Sequence, residues 1–239
     1  MSRTKPPAGW RVGDWGWDEI YRDLAALWLF NEGQGRIVSD ASGNGFHGTI
    51  QTLGGSTGAQ WVSGPSGWEL RFQNNAAGRV ELGVTGRRLL GEGHFSVAYR
   101  ALVEPEVADW GSVIGIAGAG ANLFYVTPHY IPSSRHLYLT MRNANDTASL
   151  GVTTPNANLG VRHTGAAGYN GRVMVSLNGA PWVLGASGAR SMLDANIRLG
   201  SVSLSGSPLL GPVEWVAVWR RALSNAEVRR IHEQPPWLR

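Results

Sequence analysis

Short apolar runs separated by single glycines occupy nearly the whole chain. Residues 94–103 show the pattern best, because Phe95, Val97, Tyr99 and Ala101 alternate with polar or small partners at the two-residue period of a half-buried strand. The same reading predicts strands at 24–30, 48–53, 68–73, 79–82, 112–118, 122–126, 136–142, 172–177, 196–200 and 211–219. Asn178-Gly179 after 172–177 predicts a type I′ hairpin turn, and Val173, Val175 and Leu177 share one face of that strand. One helix is predicted near the C-terminus, where Ser224 caps it, Glu227 completes a capping box and Pro235-Pro236 stops it. Trp28, Trp215 and Trp219 lie within apolar runs and are expected in the core.

Composition turns this pattern into a fold class. A chain of 239 residues with 43% apolar content closes one good core, and Gly 33 with Pro 12 suits many strands joined by tight turns. The expectation is an all-β, two-sheet antiparallel β-sandwich over residues 23–239, preceded by an arm at residues 1–22. Cysteine is absent, which removes disulfides, thiolate metal sites and a Cys nucleophile. The N-terminal stretch lacks the continuous apolar segment of a secretory signal, and no later run is long enough for a membrane helix. Synthesis in a cytoplasm without a signal peptide, and no membrane partner, follow as expectations.

The net charge is +4 and nearly all the positive charge is arginine, with Lys5 the one lysine. These arginines are scattered, and only Arg87-Arg88, Arg220-Arg221 and Arg229-Arg230 are adjacent, which speaks against a nucleic-acid partner. Within the arm, Pro6-Pro7 block regular structure and Trp10, Trp15 and Trp17 follow among glycines. Burying three tryptophans falls short of ordering a segment of about twenty residues, so the arm needs further contacts. It either folds back over the sandwich or orders on a neighbouring subunit.

Residues 24–50, LAALWLFNEGQGRIVSDASGNGFHGTI, add a motif. Phe30, Asn31, Glu32, Gly33, Gly35, Asp40, Ser42, Gly43, Asn44, Gly45 and Gly48 fall where the laminin-G-like, concanavalin-A-like lectin and glucanase jelly roll has its F-(D/N)-E-G-x-G and D-x-S-G-N-G-x-x-G segments, so the chain resembles that family. The resemblance covers about residues 24 to 232; it is strong at both ends and vague between 104 and 165. It implies a jelly roll, a fold that hosts several unrelated functions.

Chemistry is thin. The E-x-D-x-E carboxylate pattern of the glucanases on this fold is missing, with Glu104 and Glu106 flanking Pro105 at a strand end. The six histidines are dispersed and no G-x-S-x-G occurs, so zinc and serine hydrolysis are not indicated and no catalytic residue is named. Asp40 and Asn44 are weak calcium candidates; the competing reading makes them Asx-turn residues that shape their loop without metal. Trp110, Tyr125, His129, Tyr130, Asn143, Asn145 and Asp146 have the aromatic and amide or carboxylate types that glycan binding needs, against a plainer reading as core or rim packing.

The arm, S-R-T-K-P-P followed by W-G-W ahead of the opening strand, resembles laminin-G-like proteins of tailed bacteriophages. That resemblance implies a non-catalytic virion component, a capsid decoration, head fibre or tail-associated protein. It would dock on a major capsid or tail protein through Arg3, Lys5, Trp10, Arg11, Trp15 and Trp17, and its free face would be open to cell-surface glycans or to further copies of the chain. The alternative is a carbohydrate-binding or adhesion module of a bacterial protein that uses the 104–165 loops.

Overall fold

The computed structural model describes residues 5–11, 19–53, 56–72, 78–104, 112–118, 121–130, 136–142, 149–154, 158, 160–190, 195–200, 211–234 and 236–237. In chain order the strands are β1 (Leu24–Trp28), β2 (Ile37–Val38), β3 (Gly48–Ile50), β4 (Thr52–Leu53), β5 (Ser56–Thr57), β6 (Ala59–Gly64), β7 (Gly67–Phe72), β8 (Arg79–Thr85) and β9 (Phe95–Leu102). They continue with β10 (Ile114–Gly118), β11 (Ala121–Tyr130), β12 (His136–Arg142), β13 (Ser149–Thr153), β14 (Arg162–Tyr169), β15 (Arg172–Leu177), β16 (Val183–Ser187), β17 (Asn196–Gly200) and β18 (Gly211–Trp219). Helix α1 (Gly86–Leu90) follows β8, and α2 (Asn225–Glu233) follows β18.

Two antiparallel sheets form a β-sandwich, as the pattern predicts. Sheet I runs β16-β15-β14-β9-β18-β7-β6, with β1 also paired to β18; sheet II runs β13-β12-β11-β10-β17-β8-β3-β2. Between them lies a core that includes Trp28, Phe30, Phe72, Phe95, Val97, Tyr99, Ile114, Phe124, Leu139, Leu199 and Val216. The alternation of residues 95–101 is realised here: Phe95, Val97 and Tyr99 face sheet II.

Sheet I is covered on its other face too. Leu27, Ala98, Trp215, Ala217 and Trp219 pack there against Leu223, Val228, Ile231 and Trp237, with Trp10, Ile20, Tyr21 and Trp182 adding to the layer. Every residue of β18 is buried as a result, which explains why its sequence reads as an unbroken apolar run around Glu214. The fold thus has three layers: sheet II, sheet I, and a cover made of α2 with described parts of the arm.

Local signals act as expected at both hairpin and helix. Asn178 and Gly179 have φ of 52° and 73°, the double left-handed geometry of a type I′ turn. Ser224 accepts from the Glu227 amide and Glu227 accepts from the Ser224 amide, closing the capping box. Elsewhere the boundaries differ. The expected strand at 48–53 breaks into β3 and β4, and that at 122–126 extends into the longer β11. Strands β2, β5, β6, β13, β14 and β16 and the single-turn α1 were not predicted. Of these, β14 (RHTGAAGY) is built from small residues because Tyr99 lies across it: a Cβ on Gly165 would stand 2.3 Å from that ring.

Candidate functional site

The Asp-x-Ser-Gly-Asn-Gly loop after β2 is organised by its own acid. Asp40 Oδ1 accepts from the amides of Leu27 at 3.0 Å and Ser42 at 2.9 Å, and Oδ2 from the Ser42 hydroxyl at 2.8 Å and the Phe46 amide at 3.0 Å. A carboxylate offers about four lone-pair positions, so protein donors saturate this one. Asn44 Nδ2 donates to the carbonyls of Leu24 and Ala25, each at 2.9 Å. Both weak calcium candidates are therefore engaged in fastening the loop to β1. Among the described residues no group of three or more His, Asp or Glu side chains could hold a metal ion.

The described part of the arm lies on the chain's own sandwich. The Lys5 amide donates to Ser66 O at 2.7 Å, its ammonium donates to Trp68 O, and Asn31 Nδ2 donates to the carbonyls of Pro6 at 2.8 Å and Pro7 at 3.1 Å. Trp10 packs into the layer over sheet I, and Arg11 is exposed. Arg3, Trp15 and Trp17 lie outside the described residues. Beneath Lys5 sit two carboxylates, Glu69 at 0% and Glu214 at 1% exposure, held by Arg162 at 2.8 Å and Arg100 at 3.2 Å respectively. Burial lowers the Lys5 ammonium to about 8, against the opposing pull of the Glu214, Glu69 and Glu32 charges.

Of the glycan candidates, Tyr125 is the one whose side chain is described; His129 and Tyr130 belong to β11 by backbone alone, and Trp110, Asn143, Asn145 and Asp146 lie outside the described residues. Tyr125 stands on the outer face of sheet II, since its neighbours Phe124 and Val126 point into the core. Cross-strand register builds a continuous row there: Glu81, Arg198, Gly115, Tyr125, Thr140 and Gly151 oppose one another in turn from β8 to β13. A second row sets Thr127, Tyr138 and Thr153 beside it.

These rows bring together residues that sequence distance conceals. The rings of Tyr125 and Tyr138 have centroids 6.0 Å apart at 55°. Arg198 Nε lies 2.9 Å from Glu81 Oε1 and 3.0 Å from Oε2, and Arg79 Nε lies 2.7 Å from Oε1, so two guanidiniums share one carboxylate. Thr127 is fully buried and its hydroxyl has no hydrogen-bond partner. Tyr125 is 8% exposed, whereas Tyr138, Arg198, Arg79 and Glu81 keep partial solvent contact. The solvent-accessible part of this face is therefore Tyr138, Thr153 and the Arg79–Glu81–Arg198 trio, with Tyr125, Thr127 and Thr140 buried beside them. Thr127 shares the face with Tyr125 by strand alternation, whereas only register, which the sequence does not display, brings Tyr138 beside Tyr125 and sets Arg198 and Glu81 two and three strands along the same row.

No family model matches this chain, and no curated protein does. Solved structures share its fold. The binding domain of Paraclostridial Mosquitocidal Protein 1 aligns with a TM-score of 0.67 at 12% identity, over 89% of this chain and 52% of that one. Trypanosoma rangeli sialidase aligns with a TM-score of 0.64 at 13% identity, over 88% of this chain and 32% of the sialidase. Domain 4 of AbnA, a GH43 extracellular arabinanase from Geobacillus stearothermophilus solved in complex with arabinotriose, aligns with a TM-score of 0.66 at 19% identity, over 88% of this chain and 98% of that domain. This chain therefore spans about half of the first neighbour and about a third of the second. The likeness is to jelly-roll-like β-sandwich domains, a coarse lectin-like fold.

Proposed function

We propose that this chain is a non-catalytic carbohydrate-binding module whose ligand meets the outer face of sheet II. The observation that carries the reading is the Tyr125–Tyr138 pair aligned with the Arg79–Glu81–Arg198 trio across that sheet. A sugar presents an apolar ring face beside a fringe of hydroxyls, and a tyrosine pair with guanidinium and carboxylate groups two to three strands along the same face complements both in a ligand of more than one sugar unit. Two of the folds it shares come from carbohydrate-active proteins, a sialidase and an arabinanase domain seen with arabinotriose, which supports the same reading.

Attachment to a phage capsid or tail protein through Arg3, Lys5, Trp10, Arg11, Trp15 and Trp17 is the competing proposal. It requires Lys5 and Trp10 to leave contacts they already make within the chain. A glycan array probed with the full chain tests the first reading. Selective binding should fall about tenfold or more in Tyr138→Ala and in Arg198→Ala. A blank array, with saturable binding of the full chain to phage particles depleted of this protein, would overturn it in favour of virion docking.

A further inference from the structure

Trp68, the second residue of β7, alternates to the side opposite Glu69 and is the most exposed of the described tryptophans, at 45%. Its indole is nevertheless seated. A Cβ placed on Gly33 would stand 2.5, 2.6 and 2.7 Å from Nε1, Cε2 and Cδ1. Three nearly equal distances put Gly33 over the face of the five-membered ring rather than at its edge, so the backbone of the Asn31–Arg36 loop covers that face while the residue as a whole keeps 45% exposure. Gly33 itself has φ of +70°, a left-handed conformation that glycine adopts without penalty. Trp61, diagonal to Trp68 across the β6–β7 hairpin, secures the same loop by donating Nε1–H to Gly35 O at 2.9 Å. The Trp68 carbonyl in turn accepts from the Lys5 ammonium.

The surroundings of this ring are polar. Gln34 and Arg36 are exposed in the same loop, and Glu32, one residue before Gly33, has Oε1 on the Ser39 amide at 2.6 Å and a buried Oε2 with no hydrogen-bond partner. Gly33 and Gly35 bring no apolar side chain to extend the patch. A protein interface needs about 800 Å² from each partner, which one indole among glycines and polar groups does not supply. A single ring held from behind loses little conformational entropy when a ligand stacks on it.

We infer that the exposed indole of Trp68 presents its face opposite Gly33 as a stacking platform for a neutral pyranose ring, with Gln34 and Arg36 meeting its hydroxyls, as a sugar site separate from the face of sheet II. The inference rests on the carbohydrate-binding reading and adds a second contact point to it.

Electrophoresis of the full chain through gels containing soluble xylan, galactomannan or hydroxyethyl cellulose tests it. Trp68→Ala should lose about tenfold or more in affinity for whichever polysaccharide retards the full chain. Gln34→Ala, at an exposed position that no described contact depends on, should lose several-fold with an unchanged melting temperature. Retardation of both variants equal to that of the full chain overturns the Trp68 platform while leaving carbohydrate binding in place. A full chain retarded by none of the three polysaccharides, with a blank glycan array, overturns the platform and the parent reading together.

Discussion

Among the described residues, single side chains hold backbone more often than they meet one another. Asp40 fixes a loop through three amides and a hydroxyl, and replacing one acceptor oxygen by an NH2 group turns it against those donors. Asp40→Asn should therefore lower stability by about 3 kcal/mol in urea titration, and calcium should not shift the melting temperature of the parent chain. Arginines behave similarly. Arg190 donates to the carbonyls of Gly91 at 2.9 Å and Gly93 at 2.6 Å while stacking 5.0 Å over the Phe95 ring, and Arg220 reaches the carbonyls of Arg88 and Leu89. A planar guanidinium suits this dual use and an ammonium does not. Lys5 differs because its charge is partly desolvated. Its protonation falls to about 8 when docked, below the ordinary 10.5, so the undocked arm binds more protons and docking strengthens as pH rises from about 8 towards 10.5. Below 8 the ammonium is charged in both states and the burial penalty is present in full. Thermal melts of the parent and Lys5→Met at pH 7 and pH 10 should show the parent gaining on the variant at the higher pH; a constant difference would mean that Lys5 is solvated.

At the scale of elements, legibility followed the locality of the signal. The type I′ turn at Asn178-Gly179 and the capping box of α2 are decided within a few residues, and both were readable. So were β9, β12, β15, β17 and β18, whose apolar positions are strong. β14 escaped because its glycines and alanines follow from neighbours such as Tyr99, which is distant in sequence, and β16 because four of its five residues are exposed and carry no burial pattern. The candidate site was legible only at Tyr125, since its other members depend on the register between β8, β17, β10, β11 and β12. The Asn31–Arg36 loop illustrates the same dependence. Its glycines read as turn residues, yet Gly33 is required by the indole of Trp68 lying on it. Gly33→Ala should strain a left-handed backbone and push Trp68 off its seat, lowering stability by about 1 to 3 kcal/mol and shifting tryptophan fluorescence; an unaltered spectrum would contradict the contact.

For the whole molecule, the decisive asymmetry is that sheet I is covered on both faces. Helix α2 and Trp10 occupy the side that a simple sandwich would leave to water, and Trp219 Nε1 joins that layer to the start of the body by donating to Ile20 O at 2.7 Å. Arg221 reinforces it by pairing with Glu227 at 2.5 Å while reaching the carbonyls of Glu19, Ile20 and Arg22. Both proposed ligand contacts, the outer face of sheet II and Trp68 on β7, lie away from that covered face. If this outer layer is a second core rather than an appendage, Ile231→Ala should cost about 2 to 5 kcal/mol, in the same range as truncations between the sheets. Chemical denaturation should then keep one cooperative transition by near-ultraviolet circular dichroism and by far-ultraviolet signal alike. A separate early transition in the near-ultraviolet signal would instead show α2 and the arm peeling from sheet I before the sandwich unfolds, and would reopen that face as a surface for partners.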